Sequence, residues 1–199
     1  MTKKLTTLAI AALLGSTAPV LAQSQGDMTL GLGAVYVNPT DSFSAPSGVR
    51  VGENIRPSLT FEYFVMDNVG IEVLAAWPFK HDLQAAGAGN IGSTKQLPPT
   101  VSLQYYFTNS SIATPFVGAG LNYTNFWDAQ LDDGTPVSLA DSWGFALHAG
   151  VDVAISPKGS LRVDVRYIDI NTKATIAGAP AGSVKLDPWA FGASYIFKF

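Results

Sequence analysis

Residues 189–199 read WAFGASYIFKF and end the chain on an aromatic side chain. In an extended strand, alternate side chains point to opposite faces of the sheet. One face of this strand would carry Trp189, Phe191, Tyr195, Phe197 and Phe199. A terminal strand usually frays unless something holds it. The rest of the sequence must therefore supply either a core or an apolar surrounding for this face.

The composition is poor in charge for a chain of this length. Of the 199 residues, 14% are charged and 47% are hydrophobic, whereas about a quarter of the residues of a soluble domain are charged. No run approaches the ~18 consecutive apolar residues of a membrane-spanning helix. The apolar residues are dispersed along the chain, which excludes a helical membrane protein and is typical of a transmembrane β-barrel.

The N-terminus has the three parts of an export signal. Lys3 and Lys4 precede an apolar stretch at 5–14, and small residues end at Ala22, before Gln23. We therefore predict a signal peptide over 1–22 and one mature domain over 23–199; a short buried helix is the alternative. Removal of 1–22 would leave 10 basic and 15 acidic residues, a net charge of −5. Such a chain is expected to offer nothing basic that would attract nucleic acid or an anionic membrane surface.

Residues suited to metal or redox chemistry are scarce. The chain contains no cysteine and two histidines, which rules out disulfides and cysteine metal sites and makes a structural transition-metal site improbable. We expect no cofactor and no metal, in a protein exported from the cytoplasm.

Eight segments show the period-two alternation of strands; they are 28–37, 55–66, 69–80, 97–107, 116–124, 142–155, 161–170 and 189–199. The spacers between them alternate long and short, at 38–54, 67–68, 81–96, 108–114, 127–141, 156–160 and 172–183. Both chain ends fall on the side of the short spacers. This layout predicts an all-β fold, an eight-stranded antiparallel transmembrane β-barrel with short periplasmic turns and four longer external loops.

Lipid would then cover the apolar face. A bilayer gives the backbone no hydrogen bonds, so a sheet spans it only when closed, without an edge. Aromatic residues gather near the strand ends, with Tyr36, Trp77, Phe79, Trp143 and Tyr167 on the loop side, as expected of headgroup girdles. A soluble β-sandwich or lipocalin-like cup is the alternative, but its opposite face should carry more charge than these strands do.

The inward parity of the predicted strands holds charges of both signs, at Arg56, Glu62, Glu72, Asp152, Arg162, Asp164, Arg166, Lys185 and Asp187. Buried charges are costly unless they are paired. Arg162, Asp164 and Arg166 alternate along one strand, and neighbours such as Asp152 and Lys185 would complete a network. Two interpretations stay open: salt bridges that fill a lumen only as wide as its side chains, or an ion-selective path.

A catalytic site is not supported by the histidines. His148 and Asp152 lie four residues apart on one strand, about 13 Å in extended chain, which is too far for a base and its orienting carboxylate. His81 lies at a loop edge, where a surface histidine is the ordinary explanation. A membrane-embedded hydrolase is therefore the weakest hypothesis, and we expect no enzyme activity.

The sequence resembles the outer-membrane protein W (OmpW) family. The resemblance is carried by TFEYFVMDNVGIEVLAAWPFKH (60–81), LPPTVSLQYYF (97–107), PFVGAGLNYT (115–124), DSWGFALHAGVD (141–152), VDVRYIDI (163–170) and DPWAFGASYIFKF (187–199). It implies a Gram-negative outer-membrane barrel with a narrow, largely apolar channel for small hydrophobic molecules. It also implies that the terminal pattern of Tyr195, Phe197 and Phe199 is read by the barrel-assembly machinery. The expected partners are thus outer-membrane lipid, that machinery and hydrophobic solutes.

Apolar residues near the loop ends are the candidates for solute contact; they are Val49, Val51, Leu83, Ile91, Leu97, Pro98, Phe126, Leu131 and Leu139. They either pack the loops together or line an apolar funnel, which the resemblance favours. Arg166 would block an all-apolar passage. A lateral exit through the wall would avoid it, at the prolines that deny ladder hydrogen bonds, Pro57, Pro78, Pro98 and Pro99. The alternative function is a non-transporting barrel whose loops serve adhesion or recognition.

Overall fold

The computed structural model describes residues 23–40, 42–43, 49–85 and 89–199. The predicted signal peptide, 1–22, lies outside them. Numbered in chain order, the strands of the described residues are β1 (Met28–Asn38), β2 (Ser42–Phe43), β3 (Val49–Val51), β4 (Asn54–Met66), β5 (Val69–Ala76), β6 (Phe79–Ala85), β7 (Gly89–Leu97), β8 (Thr100–Tyr106), β9 (Ala113–Leu131), β10 (Val137–Leu139), β11 (Ser142–Ser156), β12 (Gly159–Ile168), β13 (Asn171–Ile176), β14 (Ala179–Lys185) and β15 (Trp189–Lys198).

Eight of these strands close into a barrel. The order is β1-β4-β5-β8-β9-β11-β12-β15, and β15 pairs again with β1, with every neighbour antiparallel. The backbone amide of Phe199 donates to the Met28 carbonyl at 3.1 Å, so the last residue is fastened beside the first strand. The predicted eight-stranded antiparallel barrel is confirmed, and closure removes the edges that an open sheet would expose.

The outer surface of the barrel is apolar, as the alternation predicted. Leu32, Leu121 and Val163 are 60%, 65% and 60% exposed, and the aromatic face of β15 points outward with them. The described residues include no helix with the length and apolarity that crossing a membrane requires. The residues of the opposite parity therefore face the lumen.

The turn side is built from short connections. Asp67 and Asn68 join β4 to β5, and Asn68 has φ 62°, the left-handed conformation that two-residue hairpin turns need. The amide of Asn68 donates to the Gln23 carbonyl at 2.9 Å, and that of Gln25 to the Asp67 carboxylate at 2.9 Å. The segment before β1 is thereby attached to the turn side of the barrel.

The loop side contains more regular structure than the sequence indicated. The predicted spacers 81–96 and 172–183 form most of two β-hairpins, β6–β7 and β13–β14. Strands β3, β6 and β7 extend the barrel sheet beyond β9, and β10, β13, β14 and β2 form a second sheet. These segments are poor in apolar alternation, so only the backbone pairing itself reveals them.

A break at Pro78 overturns one assignment of faces. The segment 69–80 was expected to be one strand with Phe79 outward and Lys80 inward, but β5 ends at Ala76 and β6 begins at Phe79. Beyond the break the parity is reversed, so Phe79 is 1% exposed inside and Lys80 is exposed outside. The predicted girdle position of Phe79 is wrong because proline interrupts the ladder and resets the pleat.

Candidate functional site: a charged lumen below an apolar cluster

The turn-side half of the lumen is organised around Arg162, which is 3% exposed. Its Nε and Nη2 donate to the two carboxylate oxygens of Asp152 at 2.7 and 2.9 Å. Its Nη1 donates to Glu72 at 2.7 Å, and Nη2 also reaches the Tyr106 hydroxyl at 2.6 Å. Asp152 and Arg162 are register partners on β11 and β12, which fixes the bidentate geometry that arginine favours.

Two further carboxylates belong to the same network. Glu72 also accepts from Arg166 at 2.8 Å and so bridges the two arginines. Glu62 accepts the Tyr106 hydroxyl at 2.6 Å, and its carboxylate lies 3.6 Å from the Arg162 guanidinium. Removing one partner from such a buried group leaves an uncompensated charge. We call these residues, Glu62, Glu72, Asp152, Arg162 and Arg166, the charge network.

Three aromatic rings close the lumen at the level of Arg162. Phe64, Tyr106 and Phe116 are each 1% or 2% exposed, and the centroid of the Tyr106 ring lies 5.4 and 5.3 Å from those of its neighbours. The Arg162 guanidinium lies 4.5 Å from the Phe116 ring centroid, a cation–π distance. The turn-side half is thus filled by side chains.

The cavities that remain beside the network are very small. One is lined by Arg162, Arg166 and Asp164 and another by Arg162, Asp152 and Tyr106, and each measures about 20 Å³. That is room for about one water molecule. Asp164 lies over Gly192, where an added Cβ would overlap its carboxylate. Between the described side chains, these two cavities are too small for an apolar solute to pass beside the charge network.

His148 and Gln104 are buried without hydrogen-bond partners among the described residues. Both ring nitrogens of His148 are unsatisfied, and its Nδ1 lies 4.0 Å from the Glu72 carboxylate. The ring covers Gly118, where a Cβ would collide with it. Asp152, the other half of the dyad considered from the sequence, is held by Arg162 instead.

An apolar cluster fills the loop-side half. Its buried members are Leu83, Phe126, Ala146, Ile168, Ile170, Val184 and Leu186, with Ile91, Leu139 and Ala174 packed against them. The sequence predicted Leu83, Ile91, Phe126 and Leu139 as apolar loop-end residues, and the structure brings these four together. It missed Ile168, at the end of β12, and Ile170, just beyond it, although both continue the inward parity of Arg162 and Arg166. We call this set the loop-side cluster.

The other predicted solute contacts lie elsewhere. Leu97, Pro98 and Leu131 are partly buried and do not belong to the loop-side cluster. Val49 and Val51 lie in β3, where their backbones pair with Ala85 and Leu83, but their side chains are outside the described set. Solute contact by any of the predicted residues stays a prediction.

A second, smaller set of contacts connects β6 and β7 to the barrel. Phe79 packs with Val35, Val37 and Ala190. His81 is 1% exposed, so the expectation of a surface histidine is wrong. Its Nδ1 lies 2.6 Å from the Gly52 carbonyl and its Nε2 2.9 Å from the Gln96 amide. With Nδ1 protonated, the neutral ring satisfies both contacts. Burial lowers the pKa of His81 below its ordinary value, although the Gly52 carbonyl acts in the opposite direction.

The barrel wall is interrupted between β5 and β8. Their ladder ends at Leu74 and Thr100, and the ladder of β6 and β7 resumes only at Phe79 and Gln96. The connecting residues 75–78 and 97–99 have no ladder partner across this line in the part of the chain that is described. We call this interruption the wall break.

Three of the four predicted exit prolines border the wall break. Pro78 lies on one side and Pro98 and Pro99 on the other, whereas Pro57 lies within β4, opposite Ala34. The Asn122 amide lies 3.1 Å from both the Pro98 and Pro99 carbonyls. The Tyr123 backbone amide also donates to the Pro99 carbonyl, at 3.1 Å. These carbonyls are thus bonded toward β9, on the side away from the wall break.

Three charges predicted for the lumen network lie away from it. Arg56 donates from Nε to the Pro78 carbonyl at 3.1 Å, at the loop end of β4. Lys185 and Asp187 pair with each other at 2.9 Å, and the lysine side chain is 50% exposed. The prediction that they share the lumen network is wrong. Arg56 lies at the loop end of β4, whereas Lys185 ends β14 in the second sheet and Asp187 lies between β14 and β15.

The C-terminal aromatic residues lie on the outer surface at the turn side. Tyr195, Phe197 and Phe199 are 40%, 43% and 55% exposed. Their side chains lie on the outer face, as the alternation predicts. Their recognition by the assembly machinery stays a prediction. Among the described residues, no group of three or more histidines or carboxylates could hold a metal ion.

A closed eight-stranded sheet with an apolar exterior and a plugged lumen defines a small outer-membrane β-barrel. The sequence profile of the OmpW family matches residues 24–199. The chain belongs to the OmpW family.

Known proteins agree with that assignment. Outer membrane protein W of Vibrio cholerae serotype O1 is 40% identical over 203 residues, 92% of this chain and 94% of that protein. The crystal structure of the outer membrane protein OprG from Pseudomonas aeruginosa has a TM-score of 0.81 and 32% identity, covering 90% of this chain and 99% of OprG. A Pseudomonas aeruginosa protein called dibenzothiophene metabolism operon protein PahQ is 25% identical over 163 residues, 77% of this chain and 75% of PahQ. The outer membrane of a Gram-negative bacterium is therefore its location, and no catalytic function is indicated.

Proposed function

We propose that this barrel passes small hydrophobic molecules, without catalysis, from the loop side into the membrane through the wall break. The observation that carries the proposal is the arrangement of the lumen, where an apolar cluster lies above a charge network. Ile170 of the cluster is 0% exposed, and Arg166 of the network is 4% exposed. An apolar solute is compatible with the first environment and is rejected by the second, because it would leave charges unsolvated.

The wall break supports an exit at the boundary between these two regions. It lies at the loop end of β5 and β8, next to Phe79 and Ala76, which pack together inside the barrel. Trp77, which follows Ala76, is 71% exposed on the outside. Separating the two sides would break few backbone hydrogen bonds, since the ladder is absent there. Lateral release would keep the solute away from Arg166.

The name of one relative supports the kind of solute. PahQ is named for dibenzothiophene metabolism, and dibenzothiophene is a fused aromatic compound without hydrogen-bond donors. Small aromatic or aliphatic molecules are accordingly the class that we propose for this chain.

Flux into vesicles containing the refolded protein tests the proposal. A fluorescent apolar probe and a charged solute of similar size should be compared for the wild type and for the P98T/P99T variant. Threonine can donate the hydrogen bonds that proline lacks, so we expect apolar flux to fall severalfold, with the charged solute excluded by both proteins. Pro157, at the tip of the β11–β12 turn, gives the matched control P157T, which should behave as the wild type.

Unchanged apolar flux in P98T/P99T, with the barrel shown to be folded, would refute exit through the wall break. Absence of any flux from the folded wild type would favour the alternative function, adhesion or recognition by the loops. One observation favours that alternative: Leu83 and Phe126 are each only 8% exposed, so the loop-side strands are closed over the cluster. The flux measurement separates the two hypotheses.

A further inference from the structure

A basic depression lies on the outer surface beside the wall break. It measures about 560 Å³ and is lined by Arg56, Trp77, Pro78, Lys80, Lys95 and Trp127. Its lining therefore combines three cationic side chains with two indole rings. We call it the basic depression.

The strand register brings its central residues into one row. Lys80 is the direct partner of Lys95 across β6 and β7, and Lys95 is the partner of Trp127 across β7 and β9. Directly opposed residues on antiparallel strands have Cβ atoms roughly 5 Å apart, and like charges in such pairs are destabilising. Lys80 faces outward only because the break at Pro78 reverses the parity of β6. An anion between the two lysines would remove the repulsion.

The protein itself neutralises only part of this charge. The Lys95 ammonium pairs with Asp128 at 2.9 Å, with side chains 43% and 62% exposed, and Asp128 sits in a left-handed conformation, φ 49°. Arg56 uses Nε on the Pro78 carbonyl. The Lys80 ammonium and the terminal nitrogens of Arg56 have no partner among the described residues. The acidic Asp82 lies on the same face as Lys80 but is two residues farther along β6 from Trp77, and it does not line the depression.

The position of the depression matches the headgroup region. Trp77 and Trp143, 71% and 73% exposed, belong to the loop-side aromatic girdle, which is the level of the lipid headgroups. Lys80 is three residues beyond Trp77, about 10 Å of extended chain. Its flexible stem can lie along apolar surface while the ammonium stays at the polar boundary.

We propose that the basic depression binds a phosphate group carried by a lipid of the outer leaflet. Lysine and arginine side chains attract anionic headgroups near a membrane surface, and an arginine fork matches phosphate geometry. The indole rings of Trp77 and Trp127 would contact the less polar part of the same lipid. A lipid is the proposed occupant because the cationic side chains and the aromatic girdle lie side by side at this level. A lipid headgroup carries its phosphate next to its apolar chains. This inference does not depend on solute passage.

Binding of bisphosphorylated lipid A, compared with the dephosphorylated form of the same lipid, tests the inference. Detergent-solubilised protein should be titrated with each lipid, and bound lipid counted by native mass spectrometry. We expect the wild type to prefer the phosphorylated lipid. The K80Q/K95Q variant should bind it about tenfold or more weakly, since each lysine near an anionic surface contributes about 1 kcal/mol.

The control variant K158Q/K173Q removes two lysines exposed elsewhere, at the β11–β12 turn and on β13, and should bind as the wild type. K80R/K95R keeps both charges and should retain the preference. Equal binding by the wild type and K80Q/K95Q, both folded by circular dichroism, would refute the site. Full competition by millimolar inorganic phosphate would also refute it, because the depression would then recognise the free ion rather than the lipid.

Discussion

The two halves of the lumen are filled by different kinds of contact. Around Arg162, charged and hydroxyl groups from β4, β5, β8 and β11 meet one guanidinium at 2.6–3.6 Å. Around the Ile170 side chain, aliphatic and aromatic side chains make apolar contacts only. A charge network tolerates little change, because removing one side chain leaves a buried charged partner unpaired. An apolar cluster accepts substitutions that conserve side-chain volume. Variation of solute preference is therefore expected in the loop-side half.

The largest effect should follow from breaking the charge network. Arg162→Met removes the partner of Asp152 and Glu72 and should lower the free energy of unfolding by about 3–5 kcal/mol. Urea unfolding in vesicles, followed by tryptophan fluorescence, measures this. Lys173→Met, at an exposed position on β13, is the control and should change stability by less than about 0.5 kcal/mol. A loss of under 1 kcal/mol for Arg162→Met would show that the network contributes little.

Truncation of the loop-side cluster should have a smaller and more local effect. Ile170→Ala leaves a cavity at a fully buried position, and such changes cost about 2–4 kcal/mol. Because Ile170 lies just beyond β12, we expect faster amide exchange in β13 and β14 with little change at Arg162. Hydrogen exchange detected by NMR distinguishes the two regions. Equal acceleration throughout the barrel would mean that the halves are not independent.

The contact between His148 and Gly118 gives a finer test of packing in the turn-side half. Gly118→Ala places a Cβ against the His148 ring and should cost about 1–3 kcal/mol through overpacking. In the background of His148→Ala the same substitution should cost almost nothing, since the ring is gone. A double-mutant cycle of unfolding free energies measures the coupling. A coupling energy near zero would contradict the steric explanation.

The smallest expected effect is a pH dependence on the loop side. Because the pKa of His81 is lowered in the folded protein, the unfolded state binds its proton first as the pH falls below about 6.5. Stability is therefore complete above that value and decreases toward acid, by at most about 1.4 kcal/mol per pH unit. Amide exchange in β6 and β7, followed from pH 7.5 to 5, should accelerate in the wild type and less in His81→Gln. Acceleration of equal size in both proteins would exclude His81 as the cause.

Much of the barrel could be predicted from the sequence because its signals are local. The alternation of Leu30, Leu32 and Ala34 with Thr29, Gly31 and Gly33 in β1 assigns their faces without any knowledge of the fold. The functional site could be predicted less completely from the sequence. Asp152 and Arg162 are register partners, which their inward parity allows but does not require. Lys185 belongs to the same predicted network but lies on β14, outside the barrel. Ile168 and Ile170 carried a usable signal, since they follow Arg162 and Arg166 at the same parity.

The sequence by itself determined a closed, membrane-spanning sheet. Alternating side chains and spacers of alternating length are properties of neighbouring residues, and a bilayer accepts a sheet only when its edges are paired. Tertiary structure alone decided which inward charges meet at Arg162 and where the parity changes at Pro78. It also decided that Lys80 and Lys95 lie opposite each other. Glu72 and Arg162 lie 90 residues apart in the chain and meet only when the barrel closes. The pairing of Lys80 with Lys95 depends on the register of the β6–β7 hairpin, which the sequence pattern does not fix.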